Sequence, residues 1–401
     1  MSETTATRKA ATLAAAALVW CACAWLLWRT TVPSLHLSGL DERHYFSARS
    51  LARARSYARG LDALWIAGTV LRLGALALLA WRPPRRGAIL VGLALLVTLF
   101  LASLPVGIAA LWWQHHWGLG PFDVGSWLVG QWSTLLAEGL AGLAAVVLVV
   151  ALARRVARWW LVAAPVVVAV VALFTFVSGW LDAIGTQPLR DPHLAAEVTR
   201  LERIEHVPGT PVTVQDVSSQ TSQVDAFTTG FGPSAHVVVW NTLLDGRFTR
   251  REVAVVLGHE LGHVRSRHVL KAIGWSALAA FPALWLLAFL TRRRSLAEPA
   301  NVPFAALVLS LLLVLALPLV NLVSRRYEAQ ADWRGIGATR DPAAAVGLFQ
   351  GFERTSLEDP DPGLLDYLWL EDHPTLMQRI AMARAWELRD GRPSRGGPGS
   401  P

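Results

Sequence analysis

The chain has 401 residues, of which 53% are hydrophobic and only 16% charged, against roughly 25% charged in an ordinary soluble domain. That shortfall excludes a wholly water-exposed globular protein and makes lipid the solvent for much of the chain. The formal net charge of +8 comes mostly from arginines flanking apolar runs, and no interleaving of basic and aromatic residues marks a nucleic-acid groove.

A helix needs about 20 apolar residues to cross a hydrocarbon core ~30 Å thick. Seven such runs follow one another, at about residues 11–28, 61–81, 88–112, 127–152, 159–181, 271–291 and 303–324. The first follows Arg8 and Lys9, lacks a clear small-residue cleavage site and is read as a retained span rather than a signal peptide. It carries Cys21 and Cys23, which are too close together to make a disulfide framework. Interfacial residues mark the run ends: Trp28-Arg29, Trp81-Arg82, Trp112-Trp113, Arg154-Arg155, Trp159-Trp160 and Arg292 to Arg294. These features predict a mainly α, polytopic protein of the cell membrane.

Residues 183–270 lose the apolar continuity and read as a water-facing segment of mixed structure. A helix is expected over 194–206, and a small sheet within Val212 to Trp240, where β-branched runs are split by Thr228, Gly230, Gly232 and Pro233. A second polar stretch, 327–388, is helical in pattern with breaks at Asp341-Pro342 and from Asp359 to Gly363. The expected division is an N-terminal membrane domain over 1–182 with five spans and a catalytic domain over 183–388 that includes the last two spans. A disordered tail over 389–401 completes it.

Chemistry concentrates at Leu257-Gly258-His259-Glu260-Leu261-Gly262-His263, in a helix that Thr249 is placed to cap. Histidines four apart share one helix face and can reach one Zn2+, while Glu260 addresses the attacking water. The plain alternative is a helix with two surface histidines. A catalytic zinc needs a third protein ligand and an open position, and Glu328 follows the seventh run directly in Ser324-Arg325-Arg326-Tyr327-Glu328-Ala329-Gln330-Ala331-Asp332. Glu328 and Asp332 face the same way, so one can bind metal while the other hydrogen-bonds a ligand histidine. Glu328, nearer the membrane helix, is the better ligand candidate, which leaves Asp332 to support it. The alternative is an acidic turn paired with neighbouring arginines.

Asp372-His373-Pro374-Thr375, with Arg379-Ile380 beyond, forms a third cluster. His373 can donate to the oxyanion of a tetrahedral intermediate, and Arg379 can bind a substrate carboxylate or brace an acid near the zinc. A helix start with a solvated face has the same spacing. His268 lies five residues past His263, rotated off its face, and reads as an exposed polar residue. His115 and His116 read as interfacial.

These residues together resemble the type I CAAX prenyl protease family, integral-membrane zinc metallopeptidases related to the HtpX heat-shock proteases. The resemblance rests on His259-Glu260-Leu261-Gly262-His263, on Ser324-Arg325 through Glu328 and Ala331-Asp332, and on His373-Pro374 with Arg379-Ile380. Five apolar runs before the motif and two after it fit the same pattern, as do Tyr45-Phe46-Ser47 and a strand over Val237 to Leu244. It implies one Zn2+ per chain with Glu328 as the third ligand, and substrate contacts from His373 and Arg379. It further implies a small α+β zincin-type catalytic domain and about seven transmembrane helices around a water-filled chamber. Where the family usually shows Asn-Ala ahead of the strand, this chain has Asp225-Ala226, in a neighbourhood implied to bind substrate backbone.

The implied substrates are prenylated tails, misfolded membrane proteins or other peptides at the bilayer. The short-loop basic residues Arg8, Lys9, Arg82, Arg85, Arg86, Arg154, Arg155, Arg158 and Arg292 to Arg294 alternate onto the side away from the motif, which favours a catalytic domain outside the cytoplasm. The resemblance implies the cytoplasmic side. A reading from another class, a membrane scaffold or receptor with a structural zinc, calls for four protein ligands and leaves Glu260 without a purpose.

Overall fold

The computed structural model describes residues 3–35, 37, 39–84 and 87–390, apart from the side chains of residues 3–10, 132–138 and 390. From residue 391 onward the expected tail lies outside the described residues. Each of the seven apolar runs lies in a helix. The first five are α1 (Glu3–Trp28), α2 (Ala48–Trp81), α3 (Ala88–His116), α4 (Val124–Arg155) and α5 (Trp159–Leu181). α2 starts well before its apolar run because Ser47 caps it, accepting a hydrogen bond from the Ser50 amide. Its first turns carry Arg49, Arg53 and Arg55.

The segment between α5 and the zinc-motif helix builds β1 (Gln187–Pro188), α6 (Pro192–Glu205), β2 (Val212–Gln215), β3 (Ala226–Thr229) and β4 (His236–Trp240). They form a sheet in the order β1-β2-β4-β3, with β2 and β4 parallel and both outer pairs antiparallel. β3 is an edge strand, registered with Ala226 opposite Val239 and Thr228 opposite Val237. β4 stops at Trp240 rather than running to Leu244. Asn241 there turns the chain, its side chain accepting from the Val217 amide and donating to Asp216.

The remaining helices are α7 (Arg250–Ser266), α8 (His268–Leu290), α9 (Val302–Thr339), α10 (Pro342–Ser356), α11 (Leu364–Trp369) and α12 (Leu376–Asp390). Thr249 and Glu252 form a reciprocal capping box at the start of α7. The membrane helices close a ring in the order α2, α3, α4, α5, α8, α9 and back to α2, with α1 packed on α8. Among the described residues six helices are long and apolar enough to cross a membrane, and α4 covers the remaining run. The protein is therefore a multi-pass membrane protein.

One core joins the water-facing elements. Leu201, Val237, Val239, Leu257, Leu261, Ile336, Leu376 and Ile380 are buried together, with Phe46 from the segment before α2 among them. Each such side chain contributes about 1.5–3 kcal/mol on leaving water. This core presses α7 against the last turns of α9, which run on past the membrane span without a break.

Candidate metal centre

The meeting of α7 and α9 depends on two residues without side chains. A β-carbon on Gly258 would stand 3.1 Å from the Gly335 α-carbon, so the helix backbones almost touch. Their facing side chains then reach one another: His259 and His263 from α7, Glu328 and Asp332 from α9.

The donor atoms form a tight triangle. His259 Nε2 lies 3.0 Å from His263 Nε2, and Glu328 Oε2 lies 3.1 Å from the first and 3.3 Å from the second. Bonds of about 2.0–2.1 Å in a tetrahedral arrangement separate zinc ligands by roughly 3.3 Å, so the triangle matches the ion in size. Glu328 Oε2 is buried and receives no aligned hydrogen bond, although imidazole nitrogens surround it. An orphaned carboxylate oxygen between two imidazoles suits a cation that completes all three. Among the described residues these three form a group whose donor atoms lie close enough together that they could hold a metal ion. Burial opposes charge on His259, yet Asp332 and Glu328 raise its pKa to about 9, so the site already draws positive charge.

Supporting groups lie behind the triangle. His259 Nδ1 is 2.9 Å from Asp332 Oδ1. Both Asp332 oxygens also accept from Arg379, Nε at 2.9 Å and Nη2 at 2.7 Å. Arg379 is buried over the Phe349 ring, so its guanidinium fork is spent on Asp332. This contact is the geometry expected of a residue bracing an acid near the triangle, and Arg379 also lines the pocket beside it.

Glu260 is buried beside the triangle, and Thr228 Oγ1 of β3 donates to its Oε2 at 2.8 Å. His373 stands before α12 with Nε2 3.2 Å from Glu328 Oε2 and Nδ1 2.7 Å from Asp372. Burial works against its charge, but Glu328 and Asp372 outweigh it and hold its pKa well above the usual histidine range. Asp225 and Ala226 sit at the start of β3; the Asp225 carboxylate accepts from the Ala226 amide. Burial first, then the charge of Glu260, pushes Asp225 up to about 6. Asp225, Ala226, His259, Glu260, Asp332, His373 and Arg379 line one pocket of about 360 Å3. A larger cavity of about 920 Å3, between the first turns of α2 and residues 356–371, shares Glu358 and Glu371 with it.

His268 corrects its sequence reading. α7 ends at Ser266; Arg267 caps it in a left-handed conformation (φ 55°), and α8 begins at the next residue. The reversal swings His268 back beneath the motif: it is 4% exposed, and its Nδ1 stands 3.0 Å from His263 Nδ1. Helical spacing across an unrecognised break had placed it on the surface. Thr228, Gln330 and the Gly258–Gly335 contact also carried no prior signal. His116 stacks on Trp112 at the end of α3.

The family model for peptidase family M48 matches residues 188–387. An uncharacterized metalloprotease, YhfN, of Bacillus subtilis (strain 168) is 28% identical over 248 residues, covering 58% of each chain. A protease HtpX homolog of Burkholderia thailandensis is 31% identical over 164 residues, 40% of this chain and 55% of its own. Another, of Acidiphilium cryptum, is 33% identical over 224 residues, 52% of this chain and 75% of its own. The chain thus spans little more than half the length of the first two. The crystal structure of Ste24p from S. mikatae shares the fold, with a TM-score of 0.68 at 17% identity, covering 91% of this chain and 96% of that one.

Proposed function

The chain belongs to peptidase family M48, and we propose that it is a membrane-embedded zinc endopeptidase that hydrolyses peptide bonds of membrane-associated proteins. The observation that carries this reading is the triangle of His259, His263 and Glu328 donors beside a buried glutamate facing a pocket. His259, His263 and Glu328 would hold a zinc ion, which would supply Lewis acidity and lower the pKa of a bound water towards ~7.

The chain's own groups do the rest. Glu260 takes the proton of the attacking water and passes it to the leaving nitrogen, with Thr228 fixing its carboxylate. His373 donates from Nε2 to the oxygen that becomes negative. Asp332, braced by Arg379, keeps His259 oriented so that Nε2 faces the metal. The substrate lies extended along the free edge of β3, adding a strand as peptides do at exposed sheet edges. Asp225 and Ala226 meet it where that edge enters the pocket. Prenylated tails and misfolded membrane proteins are the substrate forms to offer first.

The reading is tested by zinc content and cleavage of an unfolded peptide for the detergent-purified wild type beside His263→Ala. One zinc and cleavage in the wild type, with neither in the variant, supports it; equal zinc in both defeats it.

A further inference from the structure

The two histidines of the triangle are backed differently. His259 leans on a carboxylate held by a buried arginine, whereas behind His263 runs a line of uncharged groups. His263 Nδ1 meets His268 Nδ1 at 3.0 Å, and His268 Nε2 meets Gln330 Oε1 at 3.0 Å. Gln330 Nε2 then donates to Thr31 Oγ1 at 2.8 Å, just beyond the end of α1. The His268 ring is clamped in plane by Tyr327, stacked at 4.6 Å with an interplanar angle of 8°. Tyr327 is fixed in turn: its hydroxyl donates to the Leu27 carbonyl and accepts from Trp275 Nε1.

Hydrogen-bond direction along this line is determined from its ends. A metal on His263 Nε2 leaves that nitrogen bare, so Nδ1 carries the proton and donates to His268 Nδ1. His268 must then carry its proton on Nε2 and donate to Gln330 Oε1, and the Gln330 amide is left to donate to Thr31. Each distance in the line suits that assignment, and every group is satisfied once.

We propose that His268 is the positioning residue for the ligand His263, holding it through Nδ1 in the tautomer and orientation that present Nε2 to the metal, with Gln330 and Thr31 anchoring the line to the end of the first membrane helix. This rests on the zinc reading above. Outer hydrogen-bond partners of this kind are worth about 10–100-fold in metal affinity. The line also explains why α7 breaks at Arg267: a continued helix would carry His268 away from His263.

Two substitutions separate hydrogen bonding from packing. His268→Phe keeps a flat ring on Tyr327 and loses both nitrogens. His268→Asn loses the stacked ring and keeps an acceptor, Oδ1, near the place of Nδ1. Zinc affinity of the full-length protein in detergent is measured by chelator competition. His268→Phe is expected to weaken it about 10–100-fold, while His268→Asn stays within a few-fold of wild type. Wild-type affinity in His268→Phe, or equal weakening in both variants, would overturn the proposal and make His268 a packing residue. A wild type that binds no zinc would instead overturn the metal-site reading, and this one with it.

Discussion

Gly335 of α9 lies so close to α7 that a β-carbon built on it would stand 2.8 Å from the His259 backbone nitrogen and 2.9 Å from the Val255 carbonyl oxygen. The obstructing atoms belong to a helix backbone and cannot rotate away. The triangle of donors therefore exists because two glycines let the helices approach.

Replacing Gly335 by alanine forces α7 and α9 apart at the level of the ligands. Overpacking of this kind costs about 1–3 kcal/mol, and the Glu328 carboxylate moves with its helix. Gly335→Ala is expected to lower the melting temperature and weaken zinc binding together. An unchanged melting temperature with full zinc content would show that the contact is not constraining.

Asp332 and Arg379 are an ion pair with almost no solvent contact, their side chains 1% and 8% exposed. Removing one partner leaves a buried charge, which costs about 3–5 kcal/mol. Arg379→Met is expected to destabilise by that amount, and adding Asp332→Asn to recover much of it. A double-mutant cycle with additive losses would contradict the pairing.

Glu371, on the wall shared by the two cavities, is pushed up to about 7, chiefly by burial and then by Glu358 and Asp372. The unfolded chain ionises near the ordinary 4.5 while the folded protein holds the proton to about 7. Ionisation therefore costs stability progressively between those values, and fully above the upper one. Glu371→Gln is expected to raise the melting temperature by roughly 2–6 °C at pH 8 and to change nothing at pH 4. An equal effect at both pH values would contradict the raised pKa.

Much of this was legible in the residue order. Uninterrupted apolar runs gave the membrane helices, since length and hydropathy alone decide whether a helix can cross lipid. The spacing of His259, Glu260 and His263 placed them on one helix face, and Thr249 marked where that helix starts. What escaped depends on events outside the local pattern. Arg267 takes a left-handed conformation that favours glycine, so nothing in its identity announced the break that turns His268 inward. The end of β4 hangs on Asn241 reaching across to Val217. The pairing of Arg379 with Asp332 depends on α12 lying against α9, a long-range contact that spacing within either segment does not encode.

The central claim is that a zinc held by His259, His263 and Glu328 works with Glu260 as the base, and the most direct test compares wild type with Glu260→Gln. Both proteins are purified in detergent and assayed for zinc content and for cleavage of an unfolded peptide. The account predicts one zinc in each, with cleavage reduced about 10²–10⁴-fold in Glu260→Gln. Stoichiometric zinc with equal cleavage rates in the two proteins would contradict it.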